Sequence, residues 1–253
     1  MRNKIFKNFG GNKISQISNF FPRSTLQDNK NYCYEYVNLK KDKVFKSSKI
    51  NNGNIIFLNT QKNSKIIIND KKFKVNRLKG IFFEKKNISI QAELGSIIFL
   101  IAGIKKKIIR EKILKLKKNF YKVNKPWGNE LWLNGEVKTF AFKRIFIKKG
   151  FQTSLQYHKK KSETNFLHKG NAELIYSKFR GTNSKDKIIS NLKSKRIKKG
   201  NFVNVYPNII HRIKAKTDIT LFEVSTPHLS DVVRIADDSN RKDGKIATEH
   251  KRN

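Results

Sequence analysis

Short apolar runs broken by turn residues recur along most of this chain, and that rhythm limits its fold more than any other feature. From about residue 31 to residue 103 they read NYCYEYVNL, KVFKSSKI, NNGNIIFLNT, SKIIIND, KKFKV, KGIFFEKKN and ISIQAELGSIIFLIAG. After residue 122 the pattern returns in KTFAFKRIFIKKG, FQTSLQYH, TNFLHKG, NAELIYSKF, KRIKKGNFVNVYP, IIHRIKA and DITLFEVSTP. Many strands of this length with little helix between them predict an all-β barrel or sandwich.

The breaks in the rhythm set the expected boundaries. Residues 1–30 read as an irregular lead-in, 31–103 as a first β unit, 122–230 as a second, and 231–253 as a tail that begins as a short helix and then frays. Over 104–121, Ile104, Ile108, Ile109, Ile113 and Phe120 fall near helical spacing among lysines, which predicts a connecting helix. A polar stretch around 181–187 reads as an inserted loop. A faint internal repeat aligns 79–103 with 199–225 and puts Ser89 where His211 stands, so the halves read as two copies of one unit.

Charge narrows the function less than its size suggests. The 253 residues carry a formal net charge of +38, a balance that usually points to nucleic acid or an anionic surface. Yet Arg, whose planar fork reads phosphates and base edges, supplies only 11 of the 57 basic residues. The lysines are spread along the whole chain, which fits a solvated coat, and no nucleic-acid partner is expected. A single cysteine, Cys33, excludes an internal disulfide and suits a reducing compartment. The longest apolar run, IIFLIAGI at 97–104, is too short to span a bilayer, and MRNKIFKNFGGNK is followed by no apolar run of signal length. A cytoplasmic protein without a membrane partner is therefore expected.

The stretch GFQTSLQYHKKKSETNFLHKG, residues 150–170, stands out chemically. Residues two apart on a strand share a face, so Ser154, Gln156 and His158 project together, and Glu163 opens the next strand after a short loop. His168 falls on the opposite face from Glu163. In NVYPNIIHR, His211 follows a turn on Pro207 and Asn208, where Asn tolerates a left-handed backbone. Two imidazoles, one carboxylate and one amide oxygen suit a divalent cation, Zn first, with Mn, Fe or Co as alternatives. The same residues also suit a solvated hairpin whose Glu163 pairs with a lysine, and spacing alone leaves both readings open. Lys143 shares a face with Ile145 and Ile147 and would point into a barrel, whereas the opposite register would place Arg144 inside.

The pattern Gly150, five residues, Gln156-x-His158, four residues, Glu163, six residues, Gly170 resembles the first motif of the cupin superfamily. Residues 200–211 are similar to its second motif, with Tyr206 where Pro is usual and Asn208 where Gly is usual. Gln in place of the first His resembles the phosphomannose isomerase branch. VNKPWGNELWLNG, FKRIFIKKG, SLQYHKKKSE, HRIKA and SDVVRIADDSNR resemble the C-terminal domain of type II mannose-6-phosphate isomerases over about 122–242. Lys159, Lys160 and Lys161 replace that family's His-rich basic stretch, and Thr164 and Asn165 replace its His-Trp.

The resemblance implies two cupin-type β-barrel units, or double-stranded β-helices, in tandem. The first is ligand-free, and the second holds one ion on Gln156, His158, Glu163 and His211. It implies a homodimer, and interconversion of an aldose and a ketose phosphate. Such a reaction needs an electrophile at the carbonyl, a group that moves a proton between C1 and C2, and a cationic phosphate site. Lys143 and Arg212 are the expected catalytic residues, and Ser154, Lys160, Lys161 and Glu130 the expected substrate contacts, with Lys159 beside them. The alternative is a metal- or sugar-binding protein of a polysaccharide pathway without catalysis.

Overall fold

The computed structural model describes residues 4–9, 12–16, 24–28, 32–41, 43–47, 53–59, 63–76, 80–85, 88–93, 97–103, 112–115, 121–133, 140–180 and 183–250. The first strands are β1 (Lys4–Phe9), β2 (Asn12–Gln16), β3 (Ser24–Asp28), β4 (Cys33–Leu39), β5 (Val44–Ser47) and β6 (Gly53–Asn59). Next come β7 (Ser64–Ile68), β8 (Lys71–Val75), β9 (Gly80–Lys85), β10 (Ile88–Ala92), β11 (Ile97–Gly103) and β12 (Lys112–Lys115). The later part contributes β13 (Tyr121–Lys125), β14 (Gly128–Trp132), β15 (Ala141–Ile147), β16 (Leu155–Tyr157), β17 (Glu163–Lys169) and β18 (Asn171–Arg180). A one-turn helix, α1 (Lys185–Ile189), precedes β19 (Leu192–Lys198), β20 (Asn201–Val205), β21 (Ile209–Ala215), β22 (Ile219–Ser225) and β23 (Val233–Ala236).

The chain divides into two compact units, one of Asn19–Asn119 and one of Met1–Ser18 with Phe120–Asn253. In the former, one sheet runs β12-β9-β6-β11-β4-β3 and the other β5-β10-β7-β8. In the latter, the sheets run β1-β2-β20-β17-β22-β15-β14-β13 and β19-β18-β21-β16-β23. Shifting each of β4 to β11 by eleven strands gives β15 to β22 with every neighbour preserved. The repeat read from the sequence is thus a repeat of topology, and the all-β architecture of two barrel units stands.

Each barrel is closed by its own apolar interior. In the Asn19–Asn119 unit, Val37, Ile66, Ile68, Ile90, Phe99 and Ile101 are buried together, and Phe45 meets Phe99 edge-on at 5.5 Å. In the other unit, Ile147, Leu167, Leu174, Val203, Ile213 and Leu221 form the core. Each such side chain contributes about 1.5–3 kcal/mol by leaving water. The turn into β18 requires glycine: Gly170 has φ +87°, and a Cβ there would stand 2.4 Å from the carbonyl oxygen of Asp218.

Four local expectations are corrected. Within 104–121, Lys112–Lys115 is a strand paired with β9, Ile113 opposite Phe83, while 104–111 and 116–120 lie outside the described residues. Pairing along a sheet edge satisfies a row of backbone groups, and this outweighs the helical spacing of the isoleucines. The lead-in contains β1, β2 and β3, and β2 extends the sheet through β20. Within 181–187 the chain enters α1, which buries Ile188. The tail forms β23 against β16 and ends in a 3-10 turn, Ala247–His250. Among the described residues, no helix is long and apolar enough to cross a membrane.

Candidate metal centre

Strand pairing brings the expected ligands together in the later unit. Gln156 of β16 stands opposite His211 of β21 in the antiparallel ladder, so both face the same way. His158 follows β16 directly, and Glu163 opens β17 in the facing sheet. Asn208 has φ +63°, the left-handed conformation expected of it, and its N–H donates to the carbonyl of His158 at 2.7 Å. That bond ties the turn before β21 to the end of β16 and sets the two imidazoles side by side, ring centres 5.4 Å apart.

Each imidazole is oriented by a backbone carbonyl. His158 Nδ1 lies 2.7 Å from the carbonyl oxygen of Asp231, and His211 Nδ1 lies 3.0 Å from that of Ile209. A carbonyl oxygen only accepts, so Nδ1 carries the proton in both rings and Nε2 presents its lone pair inward. These lone pairs face a carboxylate: His158 Nε2 is 3.4 Å from Glu163 Oε2, and His211 Nε2 is 3.2 Å from Glu163 Oε1. Burial, reinforced by Lys161, holds the His158 pKa below its ordinary value and so favours its neutral ring. His158 Nε2 is buried without a hydrogen-bond partner.

An ion fits this arrangement. Donors about 2.0–2.2 Å from a tetrahedral ion stand roughly 3.3–3.6 Å from one another, close to the separations here. His158, Glu163 and His211 are all buried, with ligand atoms within 4.8 Å of one another. Gln156 lines the same cavity, and its Oε1 accepts from Ser154 Oγ at 2.5 Å. Nδ1–H bonds to carbonyls are the outer contacts that fix ligating imidazoles.

Glu163 is also bound by protein cations and donors. Lys161 Nζ contacts Glu163 Oε2 and reaches Glu223 Oε1 at 2.9 Å, while Asn165 Nδ2 donates to Glu163 Oε1 at 3.0 Å. Burial favours a neutral Glu163, but the Lys161 ammonium outweighs it and holds the carboxyl well below its usual range. Burial likewise opposes the Lys161 charge, yet Glu163 and Glu223 outweigh it and raise its pKa.

A cavity of about 300 Å³ opens beside these residues, at the lower end of small-ligand sites. Lys143 does point into the barrel: it stands opposite Glu223 and Trp132 in the ladder, 3.6 Å from the Glu223 carboxylate, 3.7 Å from Glu130 and 4.4 Å from the Trp132 ring centre. Burial opposes the Glu130 charge, but Lys143, Lys125 and Lys161 outweigh it and keep the carboxyl below its ordinary value.

The structure brings Ser154, Gln156, His158, Lys161, Glu163, His211, Lys143 and Glu130 to one cavity. It does not bring Arg212 or Lys160 there. Arg212 follows His211 on β21 and faces the other way, donating to the carbonyl of Ala236 at 3.0 Å and to Asp238 at 3.3 Å. Lys159 and Lys160 are exposed, and only their backbone N–H groups are engaged, by the Asp231 carboxylate.

Sequence reasoning missed Glu223 and the tail. Glu223 carried a signal, as a lone acid on the face of β22 that also shows Leu221, opposite Lys143. The tail supplies Arg234, Arg241 and His250 to the cavity wall. Arg241 is clamped by Asp237 at 2.6 Å, Glu249 holds Lys125 at 2.7 Å, and Tyr121 donates to the carbonyl of His250 at 2.7 Å.

Two barrels of one topology, one carrying an inward His, Glu, His cluster, define the two-barrel cupin fold. Comparison with solved structures agrees. The YlbA protein of E. coli superposes with a TM-score of 0.61 at 7% identity, covering 89% of this chain and 95% of that one. The oxalate decarboxylase of Bacillus subtilis, described for its Mn(II) centres, gives 0.59 at 11% identity over 91% of this chain and 77% of its own. Vicilin from Corylus avellana gives 0.59 at 8% identity over 93% and 86%. At such identities the likeness is one of fold. No family model matches the sequence, and comparison with characterised proteins finds no match.

Proposed function

We propose that this protein is a metal-dependent sugar-phosphate isomerase, interconverting an aldose and a ketose phosphate of the mannose 6-phosphate type. Gln156, His158, Glu163 and His211 would hold one divalent ion, and their nitrogen and oxygen donors suit zinc. The observation that carries the reading is the pair of buried Nε2 lone pairs turned on one carboxylate beside a cavity. When bound, the ion supplies Lewis acidity to sugar oxygens. The chain's own groups supply the proton chemistry: Lys143 Nζ gives a proton to the carbonyl oxygen and recovers one from the neighbouring hydroxyl as the new carbonyl forms, while Glu223 accepts the carbon-bound proton and returns it to the neighbouring carbon. Lys143 and Glu223 are 3.6 Å apart within the cavity wall, so the two events occur at one place.

A second reading, sugar or metal binding without catalysis, is favoured by one contact. The Lys161 ammonium lies on Glu163 and already supplies positive charge there. Elemental analysis of the purified full chain, with an aldose–ketose assay on mannose 6-phosphate, separates the readings. About one zinc, manganese or iron per chain with turnover supports the isomerase. Metal without turnover on any aldose phosphate supports the binding protein, and no metal after incubation with these ions overturns the isomerase and leaves sugar binding without catalysis.

A further inference from the structure

Among the described residues that line the cavity, one buried cation lacks a close carboxylate. Among the described residues of its wall, Lys125, Lys143, Lys161 and Arg241 each have a carboxylate oxygen within 3.7 Å. Arg234 is different. Its side chain is 8% exposed, and the nearest carboxylate oxygen, on Asp237, is 4.0 Å from Nε. That carboxylate is already engaged by Arg241, at 2.6 Å through Nη2 and 3.1 Å through Nε. Arg234 Nη1 is held by the carbonyls of Lys242 and, at 3.1 Å, Gly244, while Nε is buried without a hydrogen-bond partner. A buried guanidinium braced on one side and lacking a partner on the other is costly unless a ligand completes it.

Its place in the ladder says where that ligand lies. Arg234 of β23 is the register partner of Gln156 in β16, which is in turn the partner of His211 in β21. The three residues form a row across one sheet face, adjacent members about 5 Å apart, and all three line the cavity. A group bound by Arg234 therefore sits one residue along that row from Gln156. Planar guanidinium donors match the two oxygens of a phosphate or carboxylate.

We infer that Arg234 is the anion-recognition residue of this cavity, binding the oxyanion of a small ligand whose other end reaches the Gln156–His211 side. The inference rests on the proposed function only in taking that oxyanion to be the phosphate of a sugar phosphate; a carboxylate offers the same oxygens. Of the other cations expected at the site, Lys160 is exposed and lines no part of the cavity, and Arg212 faces the other way on β21.

The test uses the zinc-loaded full chain. Affinities for inorganic phosphate, acetate, mannose 6-phosphate and mannose are measured by calorimetry for the wild type and for Arg234→Gln, which removes the guanidinium and its charge but keeps a polar side chain. The expected result is about a 10- to 100-fold loss of affinity for the anionic probes, with mannose affinity, zinc content and melting temperature unchanged. Preference for phosphate over acetate identifies the phosphate as the source, and the reverse identifies a carboxylate. Wild-type protein that binds neither anion, or a variant that binds both unchanged, overturns the inference. If the variant does not fold, the Arg234 Nε–H resonance of labelled wild-type protein decides. Its shift on adding the preferred anion supports the role, and an unmoved signal overturns it. Arg234-dependent anion binding without isomerisation would sink the isomerase alone; isomerisation indifferent to Arg234→Gln would sink this inference alone.

Discussion

The backbone carbonyl of Asp231 accepts the Nδ1 proton of His158 at 2.7 Å, while the carboxylate of the same residue binds the loop that follows. Its oxygens accept from the backbone N–H groups of Lys159 at 2.9 Å and Lys161 at 2.8 Å, and from that of Lys160 between them. One residue of the tail thus fixes both an imidazole tautomer and the three-lysine loop leading to Glu163. Burial works against the Asp231 charge, and the three N–H donors overcome it, lowering its pKa.

Replacing Asp231 by Ala removes the carboxylate from three N–H groups and loosens the carbonyl that orients His158. The expected outcome is a destabilisation of about 1–3 kcal/mol and a 10- to 100-fold weaker metal affinity. Urea unfolding and competition with a chelator measure the two. An unchanged metal affinity would show that the loop is held by other contacts.

The ligands themselves should separate by role. His158→Ala and His211→Ala each remove an inward lone pair and should abolish stoichiometric metal. Gln156→Ala should weaken metal retention less, because an amide oxygen is the weakest donor of the set. Metal per chain after gel filtration is the readout. Equal metal content in all three variants and the wild type would refute the cluster as a site.

Lys143 and Glu223 face each other in a buried ladder position, with Lys161 and Glu130 as further partners. Lys143→Met leaves Glu223 and Glu130 with one fewer cation and should cost about 3–5 kcal/mol. The double variant Lys143→Met with Glu223→Leu should cost less than the sum of the single changes, with a coupling of about 0.5–3 kcal/mol. Denaturant unfolding of the four proteins gives the cycle, and strict additivity would mean that the pair does not interact.

His250 gives a pH signature outside the ligand cluster. Burial, then the nearby Lys125 and Lys245, push its pKa down from 6.5 to about 4. The ring is therefore neutral in the fold at pH values where the unfolded chain would protonate it. Its contribution is fully present above about pH 6.5 and declines as pH falls from there to about 4. Below that it changes no further. Proton NMR should place the His250 midpoint near 4, and His250→Gln should flatten melting temperature against pH between about 4 and 6.5. A midpoint near 6.5 would mean the ring is solvated.

Much of the site was legible because strands alternate. Period two put Gln156 and His158 on one face and Lys143 inside with Ile145 and Ile147, and the same rule turns Arg212 outward once His211 points in. Glu223 was legible by the logic applied to Lys143, as a single charge on an apolar face. Lys161 lies in a loop, where no period says which way a side chain turns. The strand over Lys112–Lys115 was hidden because isoleucines among lysines fit either period, and only a neighbouring edge decides between them.

By itself the sequence determined the all-β architecture and which residues of a strand share a face, Gln156 with His158 and Lys143 with Ile145 and Ile147, because strand period is a local property of the chain. Tertiary structure decided that Asp231 meets His158 across 73 residues and that Glu249 meets Lys125 across 124. It also decided that Arg234 joins the row of Gln156 and His211. These meetings depend on where β23 docks, and an edge strand's choice of neighbour is set by backbone pairing and burial, neither of which has a period in the sequence.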